Sequence, residues 1–310
     1  MINAITVINY LGRMLTLELA APEKSGLWVK SVTGIGSGKA AINVTNMASN
    51  DGSLFNSARA ETRNIVLTLG MYDINIEDSE WSIEKARLLT YDYFPKKRAV
   101  TLIFHTDIRD LYIDGYVESN EPDIFNKEET AAISIICPDP NFYEANGGHD
   151  VNLAQIVDNF EFPYSNESLS ENLTEFGLIQ IGVSKASVPY YGDIETGMHF
   201  RIRFFGHVEG LRLYNLQTGA KIVIDDSKLD SEEFPNGIIA GDIIDIHTVR
   251  GNKSATITRE GATYNIMNSL GMDPVWFQLY PGSNLFGFHA DVGLEFIDIS
   301  ISFEEAYEGV

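Results

Sequence analysis

The side chains of this 310-residue sequence that could support nucleophilic or phosphate chemistry are not spaced as those chemistries require. The run 34–39, Gly-Ile-Gly-Ser-Gly-Lys, looks like a phosphate-binding loop, but Thr33 and Ala40 stand where that loop needs glycine and a serine or threonine. We interpret the run as a connection between strands. A Gly-x-Ser-x-Gly nucleophile turn does not occur, and Cys137, at the apolar end of a predicted strand, is expected to be a buried, inert thiol.

Histidine and carboxylate residues do not form a recognisable metal or acid–base motif. Neither His-Glu-x-x-His nor His-x-His occurs in the sequence. Four histidines on predicted strands or near turns are expected to be packing residues: His199, His207, His247 and His289. Neighbouring carboxylates such as Asp242 and Asp245 arise by chance among 44 acidic residues, so we expect solvated charges at strand edges. The sequence therefore predicts a protein that is not an enzyme, with no catalytic, cofactor-binding or metal-binding residues.

Trp276 is the best candidate for a binding residue, because an exposed indole face suits a sugar ring. It is followed by Phe277 and lies near Leu279 in a predicted strand. The alternative is that Trp276 fills the core of a sheet, which we favour because aromatic side chains dominate buried surface. A carbohydrate contact at Trp276 is kept as the second interpretation.

Composition and charge exclude several classes of protein. The chain has 22 basic and 44 acidic residues and a net charge of -22, so it lacks the cationic surface that direct nucleic-acid binding needs. It contains no uncharged apolar run of about 18 residues, which argues against a membrane-spanning helix. Residues 1–20 do not have the pattern of a signal peptide, so we expect synthesis in a reducing cytoplasm without secretion.

The dominant periodicity along the chain is two, which predicts a mainly β protein with antiparallel sheets. In the first half, strands are predicted around 2–7, 64–69, 100–105 and 132–137. One helix interrupts them. We expect Asp78 or Ser79 to cap it and Pro95 to end it.

The second half is predicted to be strand and turn throughout, which is typical of an antiparallel β-sandwich. Strands are predicted at 198–204, 212–214, 221–224, 242–247, 254–258, 276–279, 285–288 and 296–303. We assign 1–146 to an N-terminal β domain with one helix, 147–176 to an acidic connector containing a strand near 160–162, and 177–310 to the C-terminal sandwich.

Several runs, in a fixed order, resemble the distal tail (Dit-like) proteins of siphovirus-type tailed phages. In the first half these runs are Asp51–Phe55, Arg63–Leu67, Tyr93–Pro95, Val100–Asp107, Ile113–Val117 and Cys137–Tyr143. In the second half they are Gly192–Gly197, Asn215–Gly219, Gly241–Ile246, Trp276–Phe277 and Pro281–Asn284. The likeness covers nearly the whole chain.

The resemblance implies a ring-forming, barrel-like N-terminal domain with one helix and a galectin-like C-terminal sandwich. Six copies would form a baseplate or tail-tip hub in the virion tail, joining the tail tube protein to the tail-associated lysin or tip protein and to a receptor-binding protein. DNA would pass through the lumen of the ring without binding. Sugar-binding galectins use a His-x-Asn-x-Arg strand, whereas this chain has Arg201 in the place of the asparagine between His199 and Arg203.

Two functions from different classes therefore remain. The first is a structural phage tail hub that works by assembly with copies of itself and other tail proteins. The second is a carbohydrate-binding or receptor-recognition protein that uses the C-terminal sandwich. A glycan array tests the second through Trp276, and imaging of the purified protein for rings tests the first. A hydrolase has no motif in its favour.

Overall fold

The computed structural model describes residues 1–47, 51–71, 74–76, 79–125, 128–153, 156–157, 178–179, 185–229, 232–271 and 274–310. The chain divides into two compact units. The first comprises Met1–Gly147 and Ala306–Val310, and the second comprises Gly148–Glu305. No helix in the described ranges is long and apolar enough to cross a membrane.

The chain is mostly β-strand, with one α-helix among the residues described. The elements up to residue 147 are β1 Ile2–Asn9, β2 Met14–Glu18, β3 Leu27–Thr33, β4 Ala40–Asn46, β5 Ser53–Ala60, β6 Arg63–Met71, β7 Ile74–Ile76, β8 Ser79–Trp81, α1 Ile83–Tyr93, β9 Ala99–Thr106, β10 Asp110–Asp123, β11 Thr130–Cys137 and β12 Phe142–Glu144. The elements after residue 147 are β13 His149–Asn152, β14 Ile156–Val157, β15 Leu178–Ile179, β16 Lys185–Tyr190, β17 His199–Phe204, β18 Arg212–Asn215, β19 Lys221–Val223, β20 Ile243–His247, β21 Ser254–Arg259, β22 Ala262–Asn265, β23 Gly282–His289, β24 Ile297–Phe303 and β25 Ala306–Tyr307.

A single antiparallel sheet forms most of the first unit, in the order β2-β1-β9-β10-β11-β6-β3. Its strands alternate between buried and exposed residues, as β11 does with Ala131, Ile133, Ile135 and Cys137 all buried. This alternation places one apolar row per strand on the same face, and the rows pack into one core. The prediction of a mainly β N-terminal domain with one helix is confirmed.

Helix α1 begins later than the sequence suggested. Its N-cap is Ser82, whose hydroxyl accepts a hydrogen bond from the main-chain nitrogen of Lys85. Ser79 lies in strand β8, and Asp78 is outside the described residues. The prediction that Ser79 caps the helix is therefore wrong. Ser82 is the N-cap because it lies in extended conformation directly before the first helical turn, next to the unpaired N–H groups of that turn.

Two sheets pack face to face in the second unit and share one core. One sheet has the order β13-β24-β17-β20-β21-β22 and the other β16-β23-β18-β19. Inward side chains from both sheets meet, as Phe200 of β17 does with Phe286 of β23, whose ring centroids are 6.1 Å apart. The predicted antiparallel β-sandwich is confirmed.

The segment around Phe277 is irregular where the sequence predicts a strand. Residues 276–278 are not in a strand, and Leu279 makes only an isolated bridge to Thr196, so that prediction is wrong. Phe277 and Leu279 are nevertheless buried. The apolar pattern of this segment therefore reflects side chains that pack in the core, although its backbone does not pair with a neighbouring strand among the described residues. The strand predicted near 160–162 lies outside the described residues.

The last residues of the chain return to the first unit. Strand β25 pairs antiparallel with β12, with Phe142 opposite Tyr307 and Tyr143 opposite Ala306. The main-chain nitrogen of Val310 donates to the main-chain oxygen of Ile35 at 3.0 Å. The sandwich is therefore an insertion, in chain order, between two neighbouring strands of the first unit.

Candidate assembly surfaces

The hairpin of β4 and β5 is the most exposed regular element in the described part of the first unit. Among the residues that the structure describes, its strands pair only with each other, from Ala40 opposite Ala60 to Asn46 opposite Ser53. Every residue of β5 is exposed, and so is every residue of β4 except Ala41. A two-stranded sheet is marginally stable by itself in water, and this hairpin leaves both of its faces exposed.

One face of the hairpin is apolar. Ile42, Val44 and Phe55 are 61%, 52% and 62% exposed, and Val44 lies directly opposite Phe55. Ile42 and Val44 are two residues apart on β4, so their side chains point to the same side of the pleat. We call Ile42, Val44 and Phe55 the hairpin face.

The opposite face of the hairpin, which we call its polar face, carries polar side chains that hydrogen-bond to one another beside one exposed leucine, Leu54, which lies opposite Thr45. Asn43 Nδ2 donates to Ser57 Oγ at 3.0 Å, and Asn56 Nδ2 donates to Thr45 Oγ1 at 2.7 Å. A bulge beside Asn43 and Val44 makes both bonds possible, because the extra residue of β5 lets two consecutive side chains face the same way. The alternation of apolar and polar residues from Ile42 to Thr45 is the sequence signal from which this two-faced strand could have been predicted.

Arg63 fixes the base of the hairpin. The side chain is buried and donates to four main-chain oxygens, those of Gly34, Gly36, Pro140 and Glu308. Burial lowers the pKa of Arg63 from its usual value, against the smaller opposing influences of Cys137 and Glu308. The loop 34–39 is thus a strand connection, as predicted, held in place by a guanidinium.

A second apolar surface lies where the β1–β2 turn meets helix α1. Leu11 and Met14 are 59% and 65% exposed, and Leu88 and Tyr91 on the helix are 57% and 43% exposed. Leu88 and Tyr91 are three residues apart, which puts them on one face of the helix. We call Leu11, Met14, Leu88 and Tyr91 the helix patch.

Polar contacts hold the two parts of the helix patch together. Arg13 Nη2 lies 2.5 Å from Asp92 Oδ1, which joins the residues beside Leu11 and Met14 to the helix. The hydroxyl of Tyr93 donates to the main-chain oxygen of Met14 at 3.0 Å. These bonds give the apolar side chains a defined arrangement although they are exposed.

The segment that contains the helix of the helix patch has a net positive charge in a strongly acidic protein. Residues 82–98 contain five basic and two acidic residues, a net charge of +3, whereas the whole chain has -22. Lys96 and Lys97 directly follow the helix and are exposed. The charge of this segment is therefore opposite in sign to that of the whole chain.

The outer face of the sandwich brings together residues that the sequence left scattered. The rings of His199 and His247 stack with centroids 4.0 Å apart and an angle of 6° between their planes. His199 Nε2 lies 2.7 Å from Asp245 Oδ1, which also accepts from Arg201 Nε at 2.9 Å. Asp242, in contrast, is 1% exposed and paired with Arg259, so the expectation of a solvated charge is wrong for Asp242.

Two open cavities of about 590 and 600 Å³ lie side by side at one end of the sandwich and share Leu229 and Phe234. The second is lined by His207, Glu209 and Asp226. One oxygen of Asp226 is buried without a hydrogen-bond partner, and burial raises the pKa of this carboxyl. His207 Nε2 lies 2.9 Å from Glu209 Oε1, so these two groups are already paired with each other.

Trp276 is half-buried and packs against the core of the sandwich. The ammonium of Lys253 lies 5.4 Å from the centroid of its ring, which places a cation over one face of the indole. The side chain therefore contributes to packing on one side, and its role as a sugar contact stays a prediction.

Comparison with known proteins finds solved structures with a similar fold and finds no match by sequence. No family model matches the chain, and no curated protein matches it. The crystal structure of SPP1 Dit (gp 19.1), described as a paradigm of the hub adsorption apparatus in phages that infect Gram-positive bacteria, matches with a TM-score of 0.56 and 14% identity over 97% of this chain and 98% of that chain. The chain has the fold of SPP1 Dit.

Two further structures of similar extent belong to phage baseplates. The phage P2 baseplate in its activated conformation with Ca matches with a TM-score of 0.49 and 13% identity over 100% of both chains. The corresponding structure with Sr matches with a TM-score of 0.44 and 13% identity over 97% of both chains.

Proposed function

We propose that this chain is a structural distal tail protein, the hub of a phage tail tip or baseplate. The observation that carries the proposal is the fold shared with SPP1 Dit over 97% of this chain. Since both units take part in that match, the whole protein and not one domain is similar to a hub protein. Its place is the virion tail.

The hub works by closing into a ring of six copies. A ring needs contacts that are heterologous, in which two different surfaces of each copy meet, because repetition of such a contact closes a circle. The exposed hairpin and the helix patch are two different apolar surfaces of the first unit. The ring joins the tail tube protein to the lysin or tip protein and to a receptor-binding protein, and DNA passes through its lumen without binding.

A structural role requires no catalytic centre. Three reactive groups that the sequence offered are engaged in packing or in pairs: Cys137 is buried, His207 contacts Glu209, and Asp242 is bound by Arg259. Burial raises the pKa of the Cys137 thiol to about 12, so it is protonated at neutral pH and a poor nucleophile. We therefore propose that the protein acts by assembly and carries out no chemical reaction.

Imaging and mass measurement of the purified protein test this function. We expect negative-stain images of closed rings and a light-scattering mass of six times 34.5 kDa, the mass of one chain. A protein that stays monomeric at all concentrations reached would contradict the ring.

Carbohydrate recognition by the sandwich is the alternative, and it has a separate measurement. A glycan array with the intact protein and a Trp276→Ala variant distinguishes it. Binding that disappears in the variant supports recognition, whereas the structural function predicts equal, background signals for both proteins.

A further inference from the structure

We propose that neighbouring copies in the ring meet by packing the hairpin face of one copy against the helix patch of the next. The proposal rests on the proposed function, since it names the two surfaces that close the ring. It assigns the hairpin one occupant, a second copy of this chain. The two surfaces consist of Ile42, Val44 and Phe55 on one side and Leu11, Met14, Leu88 and Tyr91 on the other.

The exposed apolar side chains of these surfaces favour burial against another protein surface. Single exposed apolar residues are common on soluble proteins, but here they occur in groups of three and four on ordered elements. The hairpin pairs with no other strand in the described residues, and each side chain of the hairpin face is more than half exposed. Both groups are mixtures of aliphatic and aromatic side chains, which pack well against one another.

Charge favours a second copy as the partner. Each copy has a net charge of -22, so two copies repel each other over most of their surface. Residues 40–60, the two strands of the hairpin and the residues between them in sequence, contain one basic and one acidic residue, Arg59 and Asp51. The segment 82–98 around the helix patch has a net charge of +3. Repulsion is therefore smallest where the hairpin of one copy, which has no net charge, approaches the helix of another.

The contact is heterologous, which distinguishes ring closure from a two-fold dimer. The hairpin face and the helix patch share no residue, so each copy offers one surface in each direction. A hairpin face that packed on the same face of another hairpin would form a closed two-fold pair and stop. Repetition of a hairpin-to-helix contact can therefore close a ring, whereas a two-fold contact between two hairpin faces cannot.

Two variants of neighbouring residues test the hairpin face by assembly. Ile42→Asp places a charge on the apolar face, and Asn43→Asp places the same charge on the polar face of the same strand. We expect the first to raise the concentration needed for ring formation about tenfold or more and the second to change it little. Far-ultraviolet circular dichroism checks that both variants keep their β structure. Equal effects of the two variants would overturn the proposal.

The helix patch has its own matched pair. Leu88→Glu should weaken ring formation by a similar factor, whereas Leu216→Glu, at an exposed leucine of the sandwich, should not. If Leu88→Glu assembles as well as the unaltered protein, the helix patch is not the partner surface and the proposal is wrong.

Cross-linking identifies the contact directly. Cys137 is buried and its thiol is protonated, so cysteines introduced at 42 and 88 are the reactive thiols under native conditions. We mix an Ile42→Cys variant with a Leu88→Cys variant and add a short bismaleimide. A covalent dimer in the mixture, and none in either variant alone, is the expected result.

The other outcomes separate the contact from the ring. Closed rings without the mixed dimer would refute the hairpin-to-helix contact and leave the hub function standing. A dimer in the Ile42→Cys variant alone would indicate a hairpin-to-hairpin pair and refute the proposal. The mixed dimer with open chains and no closed rings would support the contact but contradict the ring, and thus the proposed function.

Discussion

Arg63 donates a hydrogen bond from Nη2 to the main-chain oxygen of Glu308, 245 positions further along the chain, at 2.7 Å. The same guanidinium binds the loop before the hairpin through Gly34 and the turn before β12 through Pro140. Its carbon lies 4.7 Å from the centroid of the Phe142 ring. The Arg63 side chain therefore connects the loop before the hairpin, the turn before β12 and the end of the chain through hydrogen bonds.

Loss of Arg63 is expected to destabilise the first unit strongly. Arg63→Met leaves four main-chain oxygens without their donor, and loss of a hydrogen bond to a charged group costs about 1.5–3 kcal/mol before water replaces the donor. We expect the free energy of unfolding to fall by about 3 kcal/mol in urea titrations. Arg59→Met, at an exposed arginine of the hairpin, is the control and should change it by less than about 0.5 kcal/mol. Similar losses in both variants would contradict the role of Arg63.

Removal of residues 306–310 from the otherwise full-length chain should weaken the first unit and spare the sandwich. The deletion removes strand β25, the Glu308 acceptor and the Tyr307 ring, whose centroid lies 3.7 Å from the guanidinium carbon of Arg109. Hydrogen exchange followed by mass spectrometry should show faster exchange in β6 and β12 and unchanged exchange in β17. A Glu308→Ala variant keeps the main-chain oxygen and should behave like the unaltered protein.

The effects of the deletion and of Arg63→Met on the free energy of unfolding should not be additive. Both remove the same hydrogen bond to Glu308, so the double change should cost less than the sum of the two single changes. Strict additivity in the unfolding free energies would mean that Arg63 and the end of the chain stabilise the unit independently.

The buried pair of Asp242 and Arg259 is expected to matter more than the exposed pairs. Arg259 donates to both carboxylate oxygens of Asp242, at 2.8 and 2.5 Å, and the side chains are 1% and 15% exposed. Arg259→Met leaves the buried carboxylate of Asp242 without its positively charged partner. We therefore expect a loss of about 3–5 kcal/mol in the unfolding free energy of the sandwich. Arg201→Met, whose arginine is half-exposed, should cost less than about 1 kcal/mol. The reverse order, measured by urea unfolding, would contradict this assignment.

The stacked pair of His199 and His247 predicts a pH-dependent stability. Burial, and then the nearby charge of His199, lower the pKa of His247 from its usual 6.5, against the opposing attraction of Asp245. The unfolded chain therefore binds the proton more readily, so stability is lost as the pH falls below 6.5 through the lowered folded pKa. His247→Gln should make this loss smaller, as measured by urea unfolding at several pH values.

His207 serves as the opposite control for this titration. Its hydrogen bond with Glu209 raises its pKa, so the stability it contributes is present below pH 6.5 and is lost as the pH rises through the raised value. In proton NMR titrations, the midpoint of His247 should lie below 6.5 and that of His207 above it. A midpoint of His247 at or above that of His207 would contradict the stacked arrangement.

Local pattern in the sequence determined the class of the fold. Alternation of period two predicted strands such as those at 100–105 and 132–137, because an antiparallel strand with one buried face needs an apolar residue at every second position. It also predicted two β-rich parts and a buried Cys137. At 276–279 the same pattern predicted a strand wrongly, since apolar residues also fill a core from irregular backbone.

Tertiary structure decided which residues meet and which are left uncovered. The alternation from Ile42 to Thr45 is the same in a buried strand and in a free hairpin, so the sequence could not show that the hairpin face is exposed. Likewise, nothing near Arg63 in sequence indicates that it binds Glu308, and nothing near His199 indicates that it stacks on His247. Contacts between distant residues depend on strand order and register, and these are set by the packing of the whole unit rather than by local composition.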